Sequence, residues 1–88
     1  MPKSSRTLAI VSAREILAGN MRLLRRAKGW SQEELAARAE LDRSFVAHVE
    51  RQARNVSIDN IERIASAFGI PVYSLLTPND SVEDAGSA

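Results

Sequence analysis

The side chains best suited to contact a ligand are Arg43, Ser44, Ala47 and His48, which share one outward face if residues 43–51 are helical. The Arg43 guanidinium is a planar fork of donors that matches the O6 and N7 acceptors of guanine. Ala47 suits a thymine methyl group, and neutral His48 offers one donor and one acceptor. These residue types predict a face that contacts base edges in the major groove of DNA.

Two of these residues also have a simpler interpretation. Arg43 would otherwise contact a phosphate or pair with the neighbouring Asp42. His48 would be a solvated residue at the edge of the groove. Phe45 lies between the buried and exposed faces, where packing is the expected role. Base contact is preferred for Arg43, whereas both interpretations of His48 stay open.

Two short helices joined by a tight turn are needed to present this face. Ser31 and Glu34 form an S-x-x-E capping box, which predicts a helix over residues 32–39. Asp42 is the N-cap candidate for a second helix over residues 43–51. Helices this short are not stable alone, so they must pack at a steep angle on a larger body. The arrangement predicted is a helix-turn-helix.

Three further helices are predicted around this motif. A second capping box at Ser12 begins a helix over residues 13–28, and Ser57 caps a helix over residues 58–68. Residues 71–76 form a short last helix. The prediction is an all-α fold of five helices around one core. Apolar residues expected to face that core are Leu17, Met21, Leu24, Ile58, Ile61, Ile64, Ala65 and Phe68.

Composition is consistent with one small globular domain. The chain has 88 residues, is 44% hydrophobic and contains no cysteine, which excludes a disulfide framework and a zinc finger. A reducing, cytoplasmic location fits this composition. No apolar run approaches the ~20 residues of a transmembrane helix, and no signal-peptide pattern is present, so no membrane association is expected.

Charge divides the chain unevenly. Up to residue 76 it carries twelve basic and eight acidic residues, a formal charge of +4, whereas the remaining twelve residues carry three acids and no base. We divide the chain into an N-terminal arm or frayed helix extension (1–12), the helix-turn-helix domain (13–76) and an acidic disordered tail (77–88). A basic domain suits an anionic partner. At most one or two arginines of the first helix are expected to touch DNA, and the rest to be solvated. The arginines of this helix are Arg14, Arg22, Arg25 and Arg26.

An enzymatic function is not supported. His48 is the single histidine, and no Gly-rich phosphate loop is present, so we expect no metal site and no cofactor. Glu33 and Glu34 are adjacent on a helix and do not converge as a catalytic pair. Glu50 is expected to pair with a nearby arginine such as Arg38. No catalytic residue and no small-molecule ligand are therefore expected.

The chain resembles the lambda-repressor-like (Cro/repressor, XRE-type) helix-turn-helix family. The resemblance covers residues 13–76 and rests on the stretches GWSQEELA, LDRSF, VER, RNVS, NIERIA and FGIPVYSLL. Glu40 and Gln52 depart from it, because they occupy positions where the family often or usually has glycine. Both are predicted to need a positive φ, which costs a residue other than glycine about 1–2 kcal/mol.

The resemblance implies a DNA-binding transcription regulator and assigns residues to the DNA backbone. Gln32 begins a helix, where backbone N–H groups favour a phosphate, and its family counterpart contacts the backbone. Asn55 has a matching phosphate role in the family. Arg51 and Arg54 are expected to extend this phosphate track. Restriction–modification controllers, small phage repressors and antitoxin-type autorepressors all share this pattern, and activation is not separated from repression.

Assembly is predicted to be dimeric. One motif of this size reads few base pairs, so two copies are expected to act together. Tyr73, Leu75 and Leu76 are the residues predicted to meet their two-fold mates. The expected function is an autoregulatory, sequence-specific regulator that binds a palindromic double-stranded operator as a homodimer. The alternative is a protein–protein interaction module, or an antitoxin-type partner, with the same fold.

Overall fold

The computed structural model describes residues 12–52 and 55–78. In these residues the chain forms five α-helices and no strand, which confirms the predicted fold. None of the described helices is both long and apolar enough to cross a membrane. The predictions for the N-terminal arm, for Arg54 and for the acidic tail beyond Pro78 lie outside the described residues. The helices are α1 (Ala13–Ala27), α2 (Gln32–Ala39), α3 (Arg43–Glu50), α4 (Ile58–Phe68) and α5 (Val72–Leu75).

Serine side chains begin three of these helices. The Ser12 hydroxyl accepts from the Glu15 backbone N–H at 3.1 Å, and the Ser12 N–H donates to the Glu15 carboxylate at 3.3 Å. Ser31 and Ser57 accept from the backbone N–H three residues later, at 3.0 and 3.1 Å. Such a cap contributes about 1 kcal/mol. Asp42 occupies the N-cap of α3 as predicted, but its side chain makes no capping hydrogen bond.

One apolar core joins the helices. Helix α2 packs against α3 and α4, while α1 packs against α3 and α5. One predicted core residue is wrong: Ile58 is 63% exposed, because it is the first residue of α4 and precedes the turn that meets the core. The largest fully buried side chains are Met21, Leu35, Val46, Val49, Ile64 and Leu75.

Trp30 connects the entry to α2 with the end of α4. Its ring stacks on Phe68 with a centroid separation of 5.5 Å and an interplanar angle of 10°. The Arg38 guanidinium lies 4.4 Å from the centroid of the same ring. Because Trp30 directly precedes the N-cap Ser31, this packing fixes where α2 begins.

Asn20 anchors α5 to α1. Its side chain is buried, and its Nδ2 donates to the carbonyl oxygens of Leu75 at 2.8 Å and Thr77 at 2.9 Å. Carbonyls at the end of a helix have no partner within the helix, so a buried amide is an effective replacement. The four-residue α5 is therefore held by polar bonds as well as by its buried Leu75.

Left-handed backbone flanks α3 on both sides. Glu40, which ends α2, has φ 61° and ψ 45°, and Gln52, which follows α3, has φ 61°. These are the two positions where the family pattern has glycine, so the predicted positive φ is confirmed at both. The strain of a side chain in this region is about 1–2 kcal/mol per residue.

Replacing Gln52 by glycine is expected to raise the free energy of unfolding by about 1 kcal/mol, because relief of the left-handed strain exceeds the entropy that glycine adds to the unfolded chain. Gln52→Ala is the matched control, since it keeps the strain and removes only the exposed side chain. Urea unfolding followed by circular dichroism measures both variants. A glycine variant no more stable than the alanine variant would contradict strain at this position.

Candidate nucleic-acid interface

The residues predicted to contact bases lie together on the outer side of α3. Arg43 and Ser44 form its first turn and are exposed, while Ala47 and His48 lie one turn later and are half-buried. The opposite side of the helix is packed in the core. Exposure is therefore greatest at the N-terminal turn, which is the end that reaches base edges when such a helix enters a major groove.

Arg43 is not held by the neighbouring acid. Within residues 12–52 and 55–78 the ion pairs join Arg25 to Glu50, Arg38 to Glu34 and Arg63 to Glu40. The predicted alternative of an Arg43 pair with Asp42 is thus absent from this part of the structure. The guanidinium is available to a ligand, and Phe45 beside it packs partly against the core, as expected.

His48 offers one of its two ring nitrogens. Its Nδ1 is buried and has no hydrogen-bond partner within the described segments. Nε2 is consequently the ring nitrogen that remains for a ligand.

A buried ion pair holds the C-terminal end of α3. The Glu50 side chain is only 3% exposed and receives two bonds from Arg25, Nε to Oε2 at 2.9 Å and Nη2 to Oε1 at 3.1 Å. Arg22 donates from Nη1 to the Glu50 backbone oxygen at 2.6 Å. Arg25 also donates to the Trp30 carbonyl at 3.0 Å. Two arginines of α1 therefore fix the orientation of the helix that carries Arg43.

Two predictions about these charges need correction. Glu50 does not pair with Arg38, because Arg38 bonds to Glu34 one turn earlier on α2 at 2.6 Å. Arg22 and Arg25 are not among the solvated arginines. Helical spacing could have indicated that Arg22 and Arg25 face the rest of the domain. Each lies four positions after a buried residue of α1, Ala18 and Met21 respectively.

Gln32, predicted to contact a phosphate, is connected to the same network. Its Nε2 donates to Glu50 Oε1 at 3.0 Å. An amide nitrogen carries two hydrogens, so one N–H remains for a second acceptor. The half-buried Gln32 is thus held at the first position of α2, where the helix dipole also favours an anion.

The remaining predicted phosphate contacts lie beyond the end of α3. Arg51 is the C-cap of α3 and is exposed. Asn55 is exposed in the connection that precedes α4, and its Oδ1 accepts a hydrogen bond from Arg14 at the start of α1.

The three residues predicted to form a dimer interface are not equivalent. Leu75 is fully buried in the core of its own domain, so its assignment to an interface is wrong: the single turn of α5 directs it inward. Leu76 is half-buried, and Tyr73 is 72% exposed. Tyr73 borders a groove of about 340 Å³ that is also lined by the exposed Leu23 of α1.

These features define a helix-turn-helix domain in which α2 and α3 form the motif. The exposed N-terminal turn of α3 presents the hydrogen-bond donors of Arg43 and Ser44. The chain belongs to the XRE-type helix-turn-helix family of transcription regulators, since the family model described as "Helix-turn-helix" matches residues 21–75. The groups of three or more His, Cys, Asp or Glu that a metal ion requires do not occur in the described residues.

Known relatives agree with this assignment. The chain is similar to a hypothetical transcription factor of Neisseria meningitidis, with 54% identity over 74% of this chain and 61% of the relative. It also resembles the restriction–modification controller protein C.AhdI from Aeromonas hydrophila, with 47% identity, a TM-score of 0.68 and coverage of 70% and 94%. The structure of C.Esp1396I bound to a 25 base pair operator site matches with 26% identity, a TM-score of 0.67 and coverage of 74% and 90%.

Glu50→Gln is expected to lower the free energy of unfolding by about 3 kcal/mol, because it leaves the mostly buried Arg25 charge without its counterion. The matched control is Glu34→Gln, which breaks the exposed pair with Arg38 and should cost less than about 1 kcal/mol. Chemical denaturation measures both changes. Equal losses in the two variants would show that the buried pair does not hold α3 in place.

Proposed function

We propose that this protein is a sequence-specific transcription regulator that binds a palindromic double-stranded DNA operator as a homodimer and controls its own synthesis. The observation that carries the proposal is the exposed first turn of α3, where Arg43 and Ser44 project from a helix whose other end is fixed by the Arg25–Glu50 pair. Similarity to restriction–modification controller proteins supports a regulatory role.

The proposed division of labour follows the chemistry of DNA. Base contacts come from Arg43, Ser44, Ala47 and His48 on α3, because only base edges carry sequence information. Phosphate contacts come from the ends of elements around it. The residues in this second group are Gln32, Arg51, Arg54 and Asn55, of which Arg54 is outside the described residues.

The proposal is tested first by a salt-titrated mobility-shift assay, in which selected operator DNA is compared with unrelated DNA. Operator binding should be tighter at every salt concentration, and both affinities should fall as salt rises, because bound phosphates release their counterions. Weak binding that does not respond to salt would instead favour an interaction module with the same fold.

Arg43→Ala is expected to lower operator affinity by about 1–3 kcal/mol and to relax the preference at one base position in each half-site. The fold should remain intact, because the side chain is exposed. Binding-site selection from a random library measures the preference, and thermal unfolding checks the fold.

Gln32→Ala is the matched control for Arg43→Ala. It should weaken binding to all DNA by a similar factor, since a phosphate contact carries no sequence information. An Arg43 variant with unchanged base preference would remove Arg43 from the proposed base contacts. A Gln32 variant with altered preference and an unchanged melting temperature would refute its phosphate role, because Gln32 also donates to the Glu50 carboxylate that holds α3.

Dimerisation is proposed through the groove beside Tyr73. The groove is lined mainly by apolar side chains, and both Leu23 and Tyr73 on its rim are large exposed hydrophobic residues. The operator bound by the related C.Esp1396I has 25 base pairs, more than twice the roughly 10-base-pair turn that separates paired half-sites. Two copies related by a two-fold axis would place their α3 helices about 34–36 Å apart.

Tyr73→Glu should therefore give a folded monomer with much lower operator affinity, because it places a charge in the apolar contact. Ile58→Glu is the comparison variant, since Ile58 is similarly exposed but begins α4. Sedimentation velocity at tens of micromolar protein measures both. A monomer produced by Ile58→Glu but not by Tyr73→Glu would move the pairing surface to α4, and a monomeric wild type would exclude the homodimer.

A further inference from the structure

Arg14 and Asn55 are 41 positions apart, yet a hydrogen bond joins their side chains. Arg14 lies in the first turn of α1, and Asn55 lies in the connection between α3 and α4. The Arg14 Nη2 donates to the Asn55 Oδ1, and both residues are exposed. The bond therefore links the start of the domain to the segment that follows the DNA-facing helix.

The position of Arg14 is not explained by helix stability. The N-terminal turn of a helix carries partial positive charge and disfavours a cation. Glu15, the next residue, is the acid that completes the capping box there. Arg14 is thus in an electrostatically unfavourable place on its own helix, and its described side-chain partner belongs to another element.

The direction of the bond determines which end of the Asn55 amide is left for a ligand. Guanidinium groups only donate, so Arg14 can engage only the carbonyl oxygen of the amide. The Asn55 Nδ2 group is then turned away from Arg14 with its two N–H donors. A phosphate oxygen accepts hydrogen bonds, so an amide binds it through its N–H donors. The bond to Arg14 leaves those donors of Asn55 free for this purpose.

Both ends of the bond start from fixed backbone. Arg14 follows the capping box formed by Ser12, and Val56, the neighbour of Asn55, packs against the core. Holding a side chain in its bound orientation lowers the entropy lost on association. An unbound asparagine would instead present its oxygen or its nitrogen with similar ease.

We propose that Arg14 is a positioning residue, which orients Asn55 so that its Nδ2 donates to a phosphate of the operator. This inference rests on the proposed function, because it requires the DNA complex. The proposed role distinguishes Arg14 from the other arginines of α1, which carry the same charge.

Four variants test the proposal: Arg14→Ala, Asn55→Ala, the double variant and Arg26→Ala. Arg26 is the matched control, since it is an exposed arginine in the last turn of the same helix. Asn55→Ala should weaken binding to operator and unrelated DNA alike by roughly five- to tenfold. Arg14→Ala should lose more affinity than Arg26→Ala, whose loss measures the effect of removing one positive charge. When the Arg26→Ala loss is subtracted from the loss in the double variant, the remainder should be no larger than the loss in Asn55→Ala.

Arg14→Lys adds a variant that keeps both an N–H donor and the charge on a side chain of similar length. It should bind DNA close to wild type, because the ammonium group can still donate to the Asn55 oxygen. In the free protein, the side-chain amide resonances of Asn55 should shift in Arg14→Ala and stay near their wild-type positions in Arg26→Ala. Melting temperatures of all variants confirm that the fold is unchanged, so that a loss of binding is not a loss of structure.

Several outcomes would overturn the proposal. Additive losses in the double variant, equal losses in Arg14→Ala and Arg26→Ala, or unshifted Asn55 resonances in Arg14→Ala would each do so. If Asn55→Ala binds as wild type while Arg43→Ala is weakened, the proposed function stands and the role of Arg14 falls. If the wild type binds no DNA at any salt concentration, both fall together.

Discussion

The buried Glu50 carboxylate is the constraint on which the arrangement of the domain depends. An unpaired carboxylate at 3% exposure would be strongly destabilising, so the chain must supply donors to it. Those donors come from Arg25 on α1 and Gln32 on α2, while Glu50 itself ends α3. Three helices therefore converge on one carboxylate. Helix α3 is fixed from its C-terminal end, which leaves its exposed N-terminal turn unobstructed.

Local signals in the sequence were sufficient to predict the helices. Serine caps and apolar spacing placed the bounds of α2 and α4 as observed, and the end of α1 within one residue. These signals act within one turn, so they can be read without knowledge of the fold. The left-handed conformation of Glu40 and Gln52 was also predictable, because the family pattern has glycine at both positions.

Contacts between helices were not predictable in the same way. The partner of Glu50, the exposure of Ile58 and the burial of Leu75 all depend on where the helices meet in the folded domain. Periodicity assigns a residue to a face but does not say where along a neighbouring helix that face ends. Spacing alone was therefore enough to place Arg43 on the outer face of α3. The hydrogen bond between Arg14 and Asn55 joins two distant parts of the chain, so spacing could not predict it.

The hydrogen bonds from Asn20 make α5 part of the same packed body as α1. They tie the last turn of the described chain to the middle of α1, and α1 in turn holds α3 through Arg22 and Arg25. Opening α5 would expose the buried Asn20 amide and Leu75 together, so separating α5 from α1 breaks polar and apolar contacts at the same time. Tyr73 and Arg43 are thus connected through packed helices and side-chain hydrogen bonds, in one body built around α1.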